Sequence, residues 1–291
     1  MNFFKTIKFA FANLIVNKVR SFLTMLGIII GVGSVITIMA VGAGAQSYIF
    51  NQIESFGTNL VSIMPGASEE AGPPAALFGI EITTLSYDDV KELKKIPHLI
   101  FVTPYANGNA NVLYKNLSKN VTFSGVTSDY VQIEDTELSM GRFITPEEDE
   151  SVSKVVVLGG EVYEKLFLDE NPLEKRVKIN NENFLVIGVM KKKGSSFFSN
   201  QDSQIYMPVR TAQKVMLGVN HVSLIRGKVD ERNNMPMVVS EIEKLLQKRH
   251  NIKDPGKIDF TVRGMDQALD IIGNVTNALN LFLGAIAAIS L

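Results

Sequence analysis

The stretch "RSFLTMLGIIIGVGSVITIMAVGAGAQ", residues 20–46, decides the fold, because a basic flank runs into a long segment without charged side chains. No Asp, Glu, Lys or Arg occurs between Arg20 and Glu54. As an α-helix, residues 22–45 would extend roughly 36 Å at about 1.5 Å per residue. The hydrocarbon core of a bilayer is roughly 30 Å thick. The stretch is therefore long enough to cross a membrane once.

Three interpretations of residues 20–46 compete. A buried helix in a soluble protein usually has nearer to about 10–14 apolar residues. A cleaved signal peptide would explain the basic flank and the small residues "AGA" at 43–45. The apolar region of a signal peptide, however, usually has only about 7–15 residues. We therefore predict an uncleaved transmembrane helix over residues 21–45, with a cleaved signal as the alternative.

The charge distribution predicts the orientation of this helix. All 30 acidic residues of the chain follow the apolar run, and none precedes it. Because basic residues concentrate on the cytoplasmic side of membrane proteins, we expect the N-terminus in the cytoplasm and residues 46–274 outside it. The basic residues of this cytoplasmic flank are Lys5, Lys8, Lys18 and Arg20. Nothing in the sequence resembles a basic nucleic-acid-binding face, so no nucleic acid partner is predicted.

Residues 1–20 show a second membrane-related pattern. Their apolar side chains recur at roughly 3.6-residue spacing, with basic and amide side chains mostly on the other side. This pattern is typical of a helix that lies in the membrane interface. We predict a cytoplasmic interfacial helix that contacts membrane lipids.

Small residues mark one face of the predicted span. Gly27 and Gly31 form a G-x-x-x-G pair, and Ser34 extends it by three positions. Such a stripe lets a second membrane helix approach closely, although glycine is also common in membrane helices generally. We predict that these three residues pack against another helix. Helical spacing continues through "QSYIFNQIESFG", which predicts a stalk beyond the membrane that ends near Gly57.

Two β-α-β units are predicted near the two ends of the extracytoplasmic domain, residues 46–274. Between them, residues 107–215 contain several strand-like runs and one helix at 159–168, which we interpret as a β-rich insert. The strongly apolar part of the last residues, Leu279–Leu291, is too short to cross a bilayer, and residues 275–291 are predicted to begin a second transmembrane helix. The strands and helices of the two units are predicted, in order, at residues 60–64, 87–96 and 100–105, then 221–227, 237–250 and 258–264.

The sequence lacks the motifs of catalysis and cofactor binding. It has no cysteine, and its three histidines are far apart, so no metal site is predicted. No P-loop, nucleophile elbow or zinc-protease motif is present. We therefore predict that the chain is not an enzyme and has no cofactor. The acidic run 147–150 is interpreted as a solvated turn or a weak cation site, and Lys191–Lys193 as a hairpin tip or a contact loop.

Several blocks resemble a known family, the MacB-like ABC transporter permeases, which include relatives of the FtsX type. The first block is "NKVRSFLTMLGIIIGVGSVITIMAVGAGA" at 17–45. The others are "MGRFITPEEDESVSKVVVLGGEVYEKLF" at 140–167, "NPLEKRVKINNENFLVIGVMKKKGSS" at 171–196 and "IYMPVRTAQ" at 205–213. The sequence departs from the family pattern at Glu174, where the family typically carries Gly, and this departure puts the geometry of that turn in doubt.

The resemblance implies an α+β membrane protein of the bacterial or archaeal plasma membrane. Its fold would combine the interfacial helix, the first transmembrane helix, an extracytoplasmic MacB-like periplasmic core domain and further spans. The implied function is that of a permease subunit that couples ATP hydrolysis to motion of the outer domain, for efflux of antibiotics, peptides or lipoproteins. The alternative is a membrane-anchored sensor or regulator of the FtsX type. The implied partners are an ABC-type ATPase, a second permease copy or paralogue, and a periplasmic adaptor protein.

Overall fold

A computed structural model describes residues 16–54, 59–66, 82–168, 170–194 and 200–265, together with residues 273, 275, 276, 278, 279, 281 and 282. The chain divides into two units, which are described separately here. One unit comprises residues 1–52 and 269–291, and the other comprises residues 53–268. Most of the predicted interfacial helix, with Lys5 and Lys8, lies outside the described residues.

The first unit contains one long helix, α1, which runs without a break from Lys18 to Glu54 over 37 residues. Its length is roughly 55 Å at about 1.5 Å per residue. The segment Lys18–Gly44, with a mean hydropathy of 2.3, is long and apolar enough to cross a membrane. Beyond Gly44 the helix continues to Glu54, as the helical spacing predicted, and the position of this part beyond the membrane stays a prediction. Its predicted end at Gly57 lies outside the described residues.

Only part of the predicted second membrane helix falls among the described residues. Residues 275, 276, 278, 279, 281 and 282 are each helical. The side chains of Leu281 and Phe282 are exposed, and a second membrane helix here stays a prediction. The rest of residues 275–291 lies outside the described residues.

The second unit is built on a mixed ten-stranded sheet. The strands lie side by side in the order β10-β1-β9-β2-β3-β8-β5-β7-β4, and β6 pairs with β2 and β7. The strands are β1 (Leu60–Pro65), β2 (Leu99–Tyr114), β3 (Leu117–Val126), β4 (Leu138–Gly141), β5 (Val155–Leu158), β6 (Arg176–Ile179), β7 (Glu182–Met190), β8 (Gln204–Pro208), β9 (Leu224–Val229) and β10 (Phe260–Gly264).

Helices cover this sheet on both faces. Two of them, α2 and α7, pack beside the β10-β1-β9-β2 part, and α5 packs on the other part. The helices are α2 (Tyr87–Leu93), α3 (Tyr130–Ile133), α4 (Pro146–Glu150), α5 (Gly160–Phe167), α6 (Val209–Thr211, continued by a π-helix over Ala212–Leu217) and α7 (Met235–Arg249).

Strands β10, β1, β9 and β2 form an antiparallel layer. Their chain order is β1-α2-β2 followed later by β9-α7-β10, which is the ferredoxin-like arrangement of split β-α-β units. Local sequence explains both helices. Ser86 and Asp89 form a capping box at the start of α2, and Val238, Ile242 and Leu246 make the buried face of α7.

Strand β2 is shared between the two parts of the sheet. Its first half pairs with β9, and its second half forms a hairpin with β3 and also contacts β6. Beyond β3 the sheet mixes parallel and antiparallel pairs, because β8 and β5 are reached by longer connections. The predicted helix at 159–168 is confirmed as α5, whereas the strand predicted at 221–227 begins later, at Leu224.

The turn at Glu174 has the geometry that the family's glycine suits. Glu174 has φ of 62°, in the left-handed region. A side chain in this region costs roughly 1–2 kcal/mol relative to ordinary helical backbone, because Cβ approaches a carbonyl oxygen. The backbone of Glu174 is nevertheless tied down, since its N–H donates to the Val186 carbonyl at 3.0 Å.

Candidate functional site

The predicted helix-packing residues lie on one face of α1. At about 100° per residue, Gly31 and Ser34 fall within roughly 40° of Gly27 around the helix axis. A Cβ atom placed on Gly27 would meet nothing within 4 Å in the described structure. The face therefore presents backbone and small side chains to whatever lies beside it. Lys18 and Arg20 lie in the first turn of the same helix.

Two hydroxyl groups near the middle of this helix donate to backbone carbonyls of the helix itself. Ser34 Oγ donates to the Gly31 carbonyl at 2.8 Å, and Thr37 Oγ1 donates to the Gly33 carbonyl at 2.8 Å. Such bonds let a hydroxyl enter a membrane at low cost, because no donor is left without an acceptor. The face is suited to close packing, and it carries no charged group of the kind that lines ion or substrate pathways.

In the second unit, a buried carboxylate joins both parts of the sheet. Glu134 follows α3 and accepts hydrogen bonds from Tyr105 Oη on β2 and Arg226 Nη1 on β9. Gln201 Nε2 donates to its other carboxylate oxygen at 3.3 Å, and Lys193 Nζ donates to its backbone carbonyl at 2.7 Å. We call these five residues the Glu134 cluster. It ties the β2–β9 pair to the segment around β7 and β8.

Aromatic side chains pack beside the Glu134 carboxylate, whose side chain is only 1% exposed. Tyr130 packs against Tyr206 with ring centroids 4.9 Å apart, and against Tyr105 at 6.0 Å. Burial, reinforced by the Glu134 carboxylate, raises the pKa of Tyr105 well above its usual value. Burial likewise raises the pKa of Tyr130, with Tyr206 the next contribution. These phenols stay protonated and act as hydrogen-bond donors, not as acids or bases.

A second ion-pair cluster joins helices α2 and α7. Asp89 Oδ1 accepts from Arg249 Nε at 2.6 Å, and Asp89 Oδ2 accepts from Ser86 Oγ at 2.7 Å. His250 lies between two carboxylates, with Nδ1 2.8 Å from Asp259 Oδ1 and Nε2 3.5 Å from Asp89 Oδ2. Hydrogen bonds to the charged Asp89 outweigh its burial and lower its pKa. This cluster fixes the end of α7 against the start of α2.

The acidic run 147–150 is engaged by neighbouring protein groups. Glu148 completes a capping box with Thr145 and forms a two-point ion pair with Arg142 at 2.8 Å. Both carboxylate oxygens of Asp149 accept from the Ser128 backbone N–H at 3.0 Å. In the described part of the chain, no group of three or more His, Cys, Asp or Glu side chains could hold a metal ion.

The lysine run after β7 does not form a hairpin tip, and that interpretation is wrong. Strand β5 lies between β7 and β8, so the two strands that flank the run are not paired with each other. Lys191 pairs with Glu137 at 2.6 Å, and Lys192 pairs with Glu164 at 2.6 Å. Both pairs are exposed. The alternative, a contact loop, stays a prediction.

Comparisons with known proteins place the chain in a family. The family model described as the MacB-like periplasmic core domain matches residues 21–245. The chain belongs to the MacB-like periplasmic core domain family. Members of this family are inner membrane proteins with a periplasmic domain.

Curated relatives in this family are longer than the chain. The chain is 34% identical over 277 residues to the macrolide export ATP-binding/permease protein MacB of Chlorobium phaeobacteroides. This alignment covers 95% of the chain and 42% of that protein. It is 35% identical over 283 residues to the protein of the same name from Bdellovibrio bacteriovorus, covering 97% and 43%. The chain therefore spans about two fifths of the length of the relatives it matches.

Solved structures share the fold of the second unit. The periplasmic region of MacB from Actinobacillus actinomycetemcomitans matches with a TM-score of 0.64 and 26% identity, over 76% of this chain and 96% of that one. The extracellular domain of the noncanonic ABC-type transporter YknZ from Gram-positive bacteria matches with a TM-score of 0.57 and 21% identity, over 70% and 100%. The second match shows fold alone.

The MacB-like sequence reveals some of its important residues and hides others. Gly27, Gly31 and Ser34 were found from spacing alone, and their role in helix packing stays a prediction. Glu134 and Arg226 were missed, because they are 92 residues apart in the chain and lie in segments without a motif. The segment "DYVQIED" around Glu134 contains two Asp and a Gln beside its apolar and aromatic residues, so Glu134 does not stand out in the sequence.

Proposed function

We propose that the chain is the permease subunit of a MacB-like ABC exporter, which couples ATP hydrolysis by a partner ATPase to movement of the periplasmic domain. The export cargo would be an antibiotic, a peptide or a lipoprotein. In this proposal the chain catalyses no reaction itself, and its N-terminus lies in the cytoplasm. Residues 275–291 begin a second membrane helix.

The observation that carries this proposal is the uninterrupted helix α1. It is roughly 55 Å long, whereas a bilayer core is roughly 30 Å thick. The helix is thus longer than the bilayer core is thick. More than half of this difference in length lies beyond Gly44, in the stalk over residues 45–54. A helix without Pro or a break is stiff, so a displacement at one end is carried to the other. The small-residue face of α1 offers a place for a second permease helix to pack.

The sequence supports a division of labour between the chain and its partners. It has no P-loop, so nucleotide binding must come from an ATPase domain or subunit. The names of the MacB relatives combine ATP-binding and permease functions in one protein. A second permease copy would supply the facing helix, and a periplasmic adaptor protein is a further expected partner.

Breaking the stalk tests mechanical coupling. Tyr48 lies in α1 beyond Gly44 and is 58% exposed, so Tyr48→Pro interrupts the helix at a cost of about 3 kcal/mol without removing a core contact. Tyr48→Ala is the matched control, since it keeps the helix.

Because the chain has no cysteine, a single spin label can be placed through Asn116→Cys on the exposed β2–β3 turn. We would measure label-to-label distances in the reconstituted complex with and without ATP.

We expect ATP to change the distances in the unmodified complex and in Tyr48→Ala, but not in Tyr48→Pro. Co-purification of the ATPase should be the same for all three. If Tyr48→Pro responds to ATP as the control does, α1 does not carry the motion.

The orientation of the chain in the membrane is tested separately with the variants Lys5→Cys and Asn116→Cys. In intact cells, a membrane-impermeant maleimide should label only Asn116→Cys.

A further inference from the structure

One face of the sheet carries an uninterrupted set of uncharged polar side chains. Paired residues in a sheet point to the same side. In the β2–β3–β8 register, Asn109 pairs with Thr122 and Thr122 with Gln204, while Asn111 pairs with Asn120. We call this surface the amide face, and its residues are Asn107, Asn109, Asn111, Asn120, Thr122, Ser124 and Gln204.

The amide face is the outer side of a strand pair whose inner side is core. Along β2, exposed Asn109 and Asn111 alternate with buried Ala110 and Val112. Solvated strand positions commonly carry charged side chains, yet every outward position here is neutral. The nearest acid at the rim, Glu161, is already paired with Lys119 at 2.9 Å.

The amide face contains an open depression of about 510 Å³. This size falls within the roughly 300–1,000 Å³ range of ligand sites. Its wall continues from the sheet onto the segment before β8. The polar lining consists of Asn109, Asn120, Thr122, Asn200, Ser203 and Gln204.

Hydrogen bonds within the amide face occupy one lone pair of most of the amide oxygens, and they leave amide nitrogens without a protein partner. Thr122 Oγ1 donates to Asn109 Oδ1 at 3.3 Å, and Asn111 Nδ2 donates to Asn120 Oδ1 at 2.8 Å. Gln204 Oε1 lies 3.4 Å from Ser124 Oγ. Within the described ranges, the NH₂ groups of Asn109, Asn120 and Gln204 have no partner. Each carboxamide nitrogen can donate two hydrogen bonds, so the depression presents a surplus of neutral donors.

This chemistry narrows the class of ligand. An ionic ligand would leave its charge uncompensated at a neutral wall. A protein partner would be expected to meet aromatic, Met or Arg side chains, and none of the described residues that line the depression is of these types. A drug-like apolar molecule would need an apolar wall. A neutral ligand rich in hydroxyl and carbonyl oxygens matches the free NH₂ groups.

We propose that the amide face binds a neutral glycan strand of N-acetylated hexoses, whose acetamido carbonyls and hydroxyls accept from Asn109, Asn120 and Gln204. The alternating spacing of side chains along β2 and β3 suits a ligand that extends along the strands. This site is independent of the coupling proposed above, because it involves neither α1 nor an ATPase.

The test is calorimetric titration of the full chain, in a sugar-free detergent, with chitotetraose. Cellotetraose is the matched sugar without acetamido groups, and a capped neutral tetrapeptide represents a protein partner. The test variants are Asn109→Ala and Asn120→Ala. Asn116→Ala is the control, since Asn116 lies on the exposed β2–β3 turn outside the depression. Exposed substitutions of this kind should leave the unfolding temperature nearly unchanged.

We expect chitotetraose to bind and cellotetraose to bind at least several-fold more weakly. The double variant Asn109→Ala/Asn120→Ala should lose about thirtyfold in affinity, since it removes two hydrogen bonds that each contribute about 1 kcal/mol. Asn116→Ala should bind as the unmodified chain does. The proposal would be overturned if chitotetraose at about 10 mM gave no heat of binding or if both sugars bound equally well. It would also be overturned if the peptide bound more tightly than chitotetraose, or if the double variant kept its affinity.

Discussion

Removing Arg226 from the Glu134 cluster should destabilise the second unit strongly. The Glu134 side chain is 1% exposed and that of Arg226 is 28% exposed. Deleting one partner of a buried ion pair typically costs about 3–5 kcal/mol, because the other charge is left unpaired away from water. The partial exposure of Arg226 lets water reach the vacated space. We therefore expect Arg226→Met to lower the free energy of unfolding by about 2–3 kcal/mol.

A double-mutant cycle separates the ion pair from packing. Glu134→Gln in the Arg226→Met background keeps an acceptor for Tyr105 and removes the unpaired charge. Replacing both partners is often close to neutral, so the double variant should recover at least about 1 kcal/mol relative to Arg226→Met. Urea unfolding of the full chain, followed by circular dichroism, gives the midpoints. With a slope of about 2 kcal/mol/M, the single variant should shift by about 1 M.

An exposed ion pair provides the control for this cycle. Lys191 and Glu137 have side chains that are 64% and 71% exposed, so Lys191→Met should cost less than about 1 kcal/mol. The reasoning would be refuted if Arg226→Met cost no more than Lys191→Met. It would also be refuted if Glu134→Gln, added to Arg226→Met, lowered the free energy of unfolding by as much as Glu134→Gln lowers it in the unmodified chain.

Three further changes test other features. Glu174→Gly should raise the free energy of unfolding by about 0.5–1 kcal/mol in urea melts, because the φ of 62° at this position suits glycine. The entropy cost of glycine offsets part of the gain. A loss of stability would contradict this. Burial raises the pKa of Asp149 from 3.8 to about 6, so the ionised form is disfavoured in the folded state, and the contribution of Asp149 to stability should fall by about 2–3 kcal/mol as pH rises from about 4 to 6. Asp149→Asn should remove that dependence, and an identical pH profile in the variant would exclude Asp149 as its source. The double variant Gly27→Leu/Gly31→Leu should reduce co-purification of the permease complex severalfold. Gly33→Leu should not, because Gly33 lies about 120° around the helix from Gly27. Equal effects of the two changes would mean that the predicted face is not the contact.

Local patterns predicted the elements of this fold well. Apolar runs such as "KVVVL" and "NFLVIGVM" became β5 and β7, because a buried strand needs apolar residues on both faces. Ser86 marked the start of α2, since its hydroxyl caps the helix. The start of β9 was predicted three residues early, because His221 forms an isolated bridge with Ser86 instead of joining the sheet.

Long-range pairing could not be predicted from such patterns. Nothing local indicates that β1 lies between β9 and β10, or that β5 lies between β7 and β8. The lysine run was misread as a hairpin tip for this reason, since two strands adjacent in sequence usually pair. The Glu134 cluster was missed on the same grounds, because it forms only when β2, β9 and α3 meet. The packing face of α1 was accessible, because it depends only on spacing within one helix.

The position of β1 has a consequence for biogenesis. Its two neighbours, β9 and β10, begin at Leu224 and Phe260, so the first strand must wait for nearly the whole domain before it can pair. Closing so long a loop is entropically costly, and folding dominated by such distant contacts is slow. Hairpins such as β2–β3 can form early, but β1 stays unpaired until β9 and β10 have been made, and during that interval its open edges are exposed to proteases and to other chains.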